Sequence, residues 1–140
     1  MPMSETFRIP SHRSHVPTAR QRVRKTLADW GITGELADDI TLSANELVTN
    51  AVIHCWVSDA QVRVTLALQG AHLLLEVHDP DRDRIPRARE HGPDTQDGRG
   101  LALVGQLAHS WGHTRQPHTK SVWARFALPV PEEPRVPTGA

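Results

Sequence analysis

The segment from about Glu35 to Trp56 constrains the fold more than any other part of the sequence. Its apolar residues recur every three or four positions, the period of an amphipathic helix, at Leu36, Ile40, Ala44, Leu47, Val48 and Ala51. This spacing predicts a long helix that buries one face. The opposite face is polar and carries, at similar steps, Asp39, Ser43, Glu46, Asn50 and His54.

The pattern alone leaves two interpretations of this polar face. A solvated surface is the usual meaning of such a stripe, and the spacing alone favours it. Asn50 argues for a binding site instead, because Asn is a poor residue for a helix interior. Glu46 and Asn50 lie one helical turn apart, and a carboxylate and an amide oxygen so placed could bind a hydrated Mg²⁺ ion or orient a nucleophile.

The remaining patterns predict one domain that mixes helices and strands, as a length of 140 residues allows. A helix is expected over Val16–Trp30, with Pro17 in its first turn and Gly31 at its end. A later helix opens at Gly98 and runs from Leu101 to about His109. Strands are expected at Phe7–Pro10, Gln61–Leu68 and Leu73–His78, near Trp111, and at Ser121–Leu128.

Composition excludes several classes of protein. Sixteen basic residues balance sixteen acidic ones, so no overall charge attracts nucleic acid or an anionic membrane. Cys55 is the single cysteine and the N-terminus lacks an apolar leader, which favours a cytoplasmic protein. No apolar run is long enough to span a membrane. Lys25 and Lys120 are the two lysines, and neither follows a Gly-rich loop, so the phosphate-binding P-loop is absent.

Two further features suggest nucleotide chemistry. Asp79 ends an apolar strand, where a buried carboxylate needs a hydrogen-bond donor, such as the exocyclic amine of a purine. Gly98–Arg99–Gly100–Leu101 opens a helix, and glycines there allow backbone N–H groups to approach phosphate. Between them, residues 82–97 have no hydrophobic period, which is typical of either a functional lid or a surface insertion.

In this order, these features resemble the ATPase superfamily with the Bergerat fold, which gyrase, Hsp90, histidine kinases and MutL share. Within it, the short length and the Glu-Leu-Val-Thr-Asn-Ala sequence of residues 46–51 resemble the stand-alone bacterial anti-sigma-factor serine/threonine kinases. The resemblance covers Phe7 to Pro129. It implies an α+β two-layer sandwich, in which about three helices cover one face of a mixed, mainly antiparallel sheet.

The resemblance also implies roles for individual residues. Glu46 would be the general base, Asn50 would ligand Mg²⁺, and His54 would lie at the pocket rim. Asp79 would bind the adenine amine with help from Ser121. The phosphates would be wrapped by Gly98, Arg99, Gly100 and Leu101. One departure from the family is that the usual Asp-x-Gly reads Asp79–Pro80–Asp81, which lowers the expected nucleotide affinity.

The expected function is therefore an ATP- and Mg²⁺-dependent kinase that phosphorylates a serine of an anti-sigma-factor antagonist and also binds a sigma factor. The resemblance to the anti-sigma-factor kinases also implies a homodimer. The alternative is a catalytically weak nucleotide-binding module that sequesters a regulatory partner. A histidine kinase subunit is disfavoured because no phospho-accepting helical hairpin precedes the domain, and direct nucleic-acid or membrane binding is not expected. The expected segments are a disordered N-terminus (1–6), the ATPase domain (7–129) with its lid (82–99), and a disordered Pro-rich tail (130–140).

Overall fold

The computed structural model describes residues 3–54, 60–79, 96–115 and 119–129 of the chain. The strands in these ranges are β1 (Ser4–Pro10), β2 (Gln61–Gln69), β3 (His72–Asp79), β4 (Ser110–Arg115) and β5 (Lys120–Ala127). The α-helices there are α1 (Val16–Asp29), α2 (Gly34–His54) and α3 (Gln96–Leu107), and a short 3-10 turn (Arg13–His15) leads into α1.

The five strands form one sheet in the order β1-β2-β3-β5-β4. Every strand pairing among the described residues is antiparallel. Strands β2 and β3 form a hairpin whose turn contains Gly70 with φ of 60°, a conformation that glycine adopts without steric cost. The register places Val64 opposite Val77 and Leu66 opposite Leu75, so the apolar residues of both strands share one face.

The core lies between that face of the sheet and the helices. Side chains of β2 and β3 alternate between the two faces of the sheet, and those on the helix side are fully buried, among them Val62, Val64, Leu66, Leu73 and Leu75. Helix α2 contributes Ile40, Leu47 and Val48 to the same cluster. It also contacts α1, α3, β2, β3 and β5, which makes it the central element of the helical layer.

Local sequence accounts for the limits of α1. Pro17 occupies the start of the helix, where its missing N–H costs no hydrogen bond. At the other end, Gly31 takes a left-handed conformation with φ of 75°, and its N–H donates to the carbonyl oxygen of Ala28 at 3.0 Å. This is the usual way in which a helix ends on glycine.

The predicted fold class is confirmed: an α+β sandwich with helices on one face of an antiparallel sheet. Three details differ from prediction. Strand β1 begins at Ser4, so residues 4–6 belong to the sheet and not to a disordered terminus. Helix α3 begins at Gln96, inside the segment predicted as a lid. Ser43, expected on a polar face, is 0% exposed, because α1 and α3 flank α2 and widen its buried arc.

Other predicted segments fall outside the described residues. They are residues 82–95 of the expected lid, the C-terminal tail from residue 130, and the end of the long helix beyond His54. Among the helices that are described, none is sufficiently long and apolar to cross a lipid bilayer.

Candidate functional site

Helix α2 carries the two side chains on which the prediction depends, Glu46 and Asn50. Both residues are partly buried and lie one turn apart on the helix. The side-chain oxygen of Asn50 is buried, and among the described residues it has no hydrogen-bond partner. A buried amide oxygen without a partner costs free energy. The oxygen of Asn50 is therefore suited to bind an additional group, either a hydrogen-bond donor or a cation that oxygen atoms coordinate.

The start of α3 lies directly against Glu46. A Cβ atom placed on Gly100 would be 2.9 Å from Oε2 of Glu46, closer than such atoms approach in practice. Glycine in a helix interior costs about 1 kcal/mol relative to alanine. Here, the absence of a side chain lets the backbone of α3 approach the carboxylate. The structure thus brings together Glu46 and Gly100, which lie 54 residues apart in the sequence (100 − 46).

Asp79 is the last residue of β3 and lies on the helix side of the sheet, where it follows Val77 in the alternation. It is 2% exposed. Nζ of Lys120, the residue directly opposite on β5, lies 3.7 Å from Oδ2 of Asp79. A cationic partner offsets part of the cost of burying a carboxylate. Asp79 is thus the last residue on the buried face of a strand that α2 contacts.

Ser121 does not lie where the prediction placed it. The register pairs Ser121 with His78 and pairs Lys120 with Asp79. Because side chains alternate along a strand, Ser121 belongs to the outer face of the sheet, away from Asp79. The structure corrects the expected partnership of Ser121 with Asp79: Lys120 occupies the position beside the carboxylate.

For some of the other predicted site residues, the structure describes the backbone but not the side chain. Gly98 and Arg99 lie in the first turn of α3, and His54 is the last residue of α2; the side chains of Arg99 and His54 are outside the described part. Leu101 is partly buried and packs against the core. The two helices that hold these residues contact each other. Their roles in nucleotide binding remain predictions.

The outer face of the sheet carries a second group of ionisable residues. His78 is 7% exposed, and its Nε2 lies 3.4 Å from Oε1 of Glu76. Burial lowers the pKa of His78 below its usual value of 6.5; Glu76 opposes this shift, and the nearby Arg63 adds to it. His78 is therefore neutral at physiological pH, and its burial stabilises the neutral form.

Lys120 is the residue of this region that sequence reasoning missed. Lysine is rare in this sequence, which has only two. The position of Lys120 opposite Asp79 depends on the register of β3 and β5, which 40 intervening residues separate (119 − 79). No local pattern reports such a long-range register.

Comparisons with known proteins agree with this architecture. A family model described as a histidine kinase-like ATPase domain matches residues 9–126. The match includes Glu46, Asn50, Asp79 and Gly100, and it spans most of the 140-residue chain. A comparison with curated protein sequences gave no match.

Two solved structures share the fold. One contains the RsbU and RsbW domains of Rv1364c from Mycobacterium tuberculosis; it is 21% identical with a TM-score of 0.68 and covers 89% of this chain. The present chain spans only 32% of that protein's length. The other is the SiaB-SiaC complex from Pseudomonas aeruginosa, with 15% identity, a TM-score of 0.60, and coverage of 87% of this chain and 88% of the matched one. At these identities the similarity concerns the fold.

Proposed function

The chain belongs to the family of histidine kinase-like ATPase domains, and on this basis we propose that it is an ATP-binding anti-sigma regulatory factor. In this proposal it phosphorylates a serine of an anti-sigma-factor antagonist and also binds a sigma factor. The observation that carries the proposal is the close approach of Gly100 to the Glu46 carboxylate. It places the N-terminal part of a helix, which favours phosphate, beside a candidate general base.

Asp79 and α3 would hold the two ends of ATP. The buried Asp79 carboxylate would accept a hydrogen bond from the adenine amine, which would offset its desolvation. The backbone N–H groups near Gly98 and Gly100 would donate to the phosphates, because the first turns of a helix carry a partial positive charge. The contacts of α2 with both β3 and α3 support one site that spans these elements.

Asn50 fits a role in holding Mg²⁺ because its buried side-chain oxygen has no hydrogen-bond partner among the described residues. Mg²⁺ prefers oxygen ligands, and it often binds through one or two protein groups together with waters and substrate phosphates. When bound, the ion would reduce the negative charge that the transferred phosphoryl group presents to an incoming hydroxyl.

Glu46 would act on the protein substrate. The serine hydroxyl oxygen of the antagonist forms a bond to the γ-phosphorus, and the bond from that phosphorus to the bridging oxygen of ADP breaks. Glu46 accepts the hydroxyl proton as the new bond forms. The partial burial of Glu46 supports this role, and the absence of a side chain at Gly100 leaves space for its carboxylate beside the backbone of α3.

A groove between α1 and α2 favours the second candidate function, a module that sequesters a protein partner. The groove has a volume of about 460 Å³ and is lined by Arg20, Gln21, Arg24, Asp38, Thr41, Leu42 and Asn45. Leu42 is 42% exposed there. Two arginines beside an exposed leucine would suit an acidic segment of a partner that also carries apolar side chains. Such docking needs no phosphoryl transfer.

Calorimetry with MgATP tests the nucleotide site. We expect saturable binding by the wild type and by Glu46→Gln, because the proposed base is not needed to hold the nucleotide. If the wild type gives no heat of binding and no thermal stabilisation by MgATP, the proposal of an ATP site is wrong.

Transfer of labelled phosphate to candidate antagonist proteins separates the kinase from the module. General-base catalysis contributes about 10²–10⁴-fold to rates, so Glu46→Gln should lower transfer by about that factor while binding persists. Transfer by Glu46→Gln at the wild-type rate would remove Glu46 from its proposed role. Partner binding without any transfer by the wild type would favour the module.

A further inference from the structure

Lys120 is held beside Asp79 by the sheet itself. The two residues are opposite each other in the antiparallel pairing of β3 and β5. Their side chains are 13% and 3% exposed, and Nζ lies 3.7 Å from Oδ2. The other lysine, Lys25, is 76% exposed and pairs with Asp29 on the surface of α1. The ammonium group of Lys120, whose side chain is mostly buried, therefore lies beside the carboxylate that is proposed to bind the adenine amine.

The geometry of the pair leaves the ammonium group able to donate elsewhere. Charge-assisted hydrogen bonds between nitrogen and oxygen are typically about 2.7–2.9 Å long, so 3.7 Å is an ion pair rather than a direct hydrogen bond. A lysine ammonium carries three donors. Burying such a pair is expensive and adds little stability by itself. A ligand that accepts from Lys120 while donating to Asp79 would make use of both groups.

We propose that Lys120 is a specificity-determining residue of the nucleotide site, a proposal that rests on the proposed ATP-binding function. Its ammonium donates a hydrogen bond to the purine ring nitrogen N1, while Asp79 accepts from the neighbouring exocyclic amine. On adenine this donor and this acceptor are adjacent on one edge of the ring. Asp79 and Lys120 present the complementary acceptor and donor side by side. Together they select a purine that carries both groups.

Three nucleotides separate the two contacts. ATP has both groups, 1-deaza-ATP has the amine but a C–H group in place of N1, and purine riboside triphosphate has N1 but no amine. We expect the wild type to bind ATP about tenfold or more tightly than either analogue, because each analogue lacks one of the two proposed charge-assisted hydrogen bonds. The affinities are measured by calorimetry in the presence of Mg²⁺.

Variants assign each preference to its residue. Lys120→Met keeps the length of the side chain and removes the donor, so its preference for ATP over 1-deaza-ATP should fall to about one, within the twofold precision of such titrations. Its preference for ATP over purine riboside triphosphate should persist through Asp79. Lys120→Arg retains a donor and should restore part of the first preference. Lys25→Met, the matched control at the only other lysine, should behave as the wild type.

The outcomes distinguish this inference from the proposed function. Equal affinities of the wild type for ATP and 1-deaza-ATP would overturn the role of Lys120, whether or not Lys120→Met folds. A preference for ATP over 1-deaza-ATP that survives in Lys120→Met would also overturn it, while the ATP site itself would stand. Failure of the wild type to bind any of the three nucleotides would instead overturn the proposed function, and the inference with it.

Discussion

The two faces of strand β3 place similar residues in different surroundings. On the helix side, Leu73, Leu75 and Val77 are almost completely buried and Asp79 ends the series with a side chain that is 3% exposed. On the outer side, Glu76 keeps 27% of its side chain exposed beside His78. An exposed carboxylate is well solvated and contributes little, whereas a buried one must be paired or bind a ligand. The difference supports the proposed nucleotide site at the end of β3, on the face that the helices cover.

The largest expected effect tests whether the core is one-sided. Leu75→Ala should lower the free energy of unfolding by about 2–5 kcal/mol, because a fully buried leucine leaves a cavity when truncated. Leu74→Ala, its neighbour on the outer face and only partly buried, should cost about 1 kcal/mol or less. Urea denaturation of both variants measures the difference. Equal losses would contradict a core confined to the helix side.

The next comparison sets the two carboxylates of β3 against each other. Asp79→Asn should weaken MgATP binding by about tenfold to a hundredfold, because it removes a charged hydrogen-bond acceptor from the proposed adenine site. Glu76→Gln makes the same chemical change three residues earlier, on the outer face. It should leave the affinity unchanged in calorimetry. A similar loss in both variants would show that the effect does not depend on the face.

The periodicity of single elements was enough to predict where most of them lie, whereas their arrangement in a two-layer sandwich was implied by the resemblance to the Bergerat fold. The apolar stripe of α2 and the alternation of β2 and β5 gave their positions to within a few residues, because each pattern is local. The residues Glu46, Asn50 and Asp79 were singled out by their positions in the predicted elements, and the resemblance supplied their nucleotide-binding roles, which remain predictions.

Long-range contacts could not be predicted from the sequence. Ser121 was placed beside Asp79. A difference of one residue in the register of β5 moves each of its side chains to the other face of the sheet. In the structure Lys120, and not Ser121, is therefore opposite Asp79. Ser43 was placed on the polar face of α2, yet it is fully buried, because a helical period cannot report that α1 and α3 both contact this helix. The close approach of Gly100 to Glu46 likewise depends on the packing of α3, which no local pattern encodes.

Gly100→Ala tests the helical layer with a smaller change. The added Cβ would lie 2.9 Å from Oε2 of Glu46, the flexible end of a side chain, which can move at little cost. Stability should not fall, since alanine is the better helix residue. Phosphate transfer to the antagonist should fall by about tenfold, because small displacements of a catalytic group have large effects on rate.

Gly105→Ala is the matched control in the same helix. Its Cβ would meet Nε1 of Trp111 at 3.0 Å and would not touch Glu46. We expect its transfer rate to equal that of the wild type once the fraction of folded protein is taken into account. If the two alanine variants lose activity equally, the position of the Glu46 carboxylate is not the cause.

The smallest effect is expected on the outer face and depends on pH. The pKa of His78 in the folded protein lies below its usual value of 6.5, chiefly because the ring is buried. Below that value the unfolded chain binds a proton more readily than the folded one, so stability is retained at higher pH and is lost as the pH falls. His78→Gln should flatten this slope by at most about 1.4 kcal/mol per pH unit, measured by urea denaturation between pH 7 and pH 5. MgATP affinity at pH 7 should be the same in His78→Gln as in the wild type, because the neutral His78 lies on the outer face and takes no part in the proposed nucleotide site. A large loss of affinity in His78→Gln would contradict the separation of the two faces.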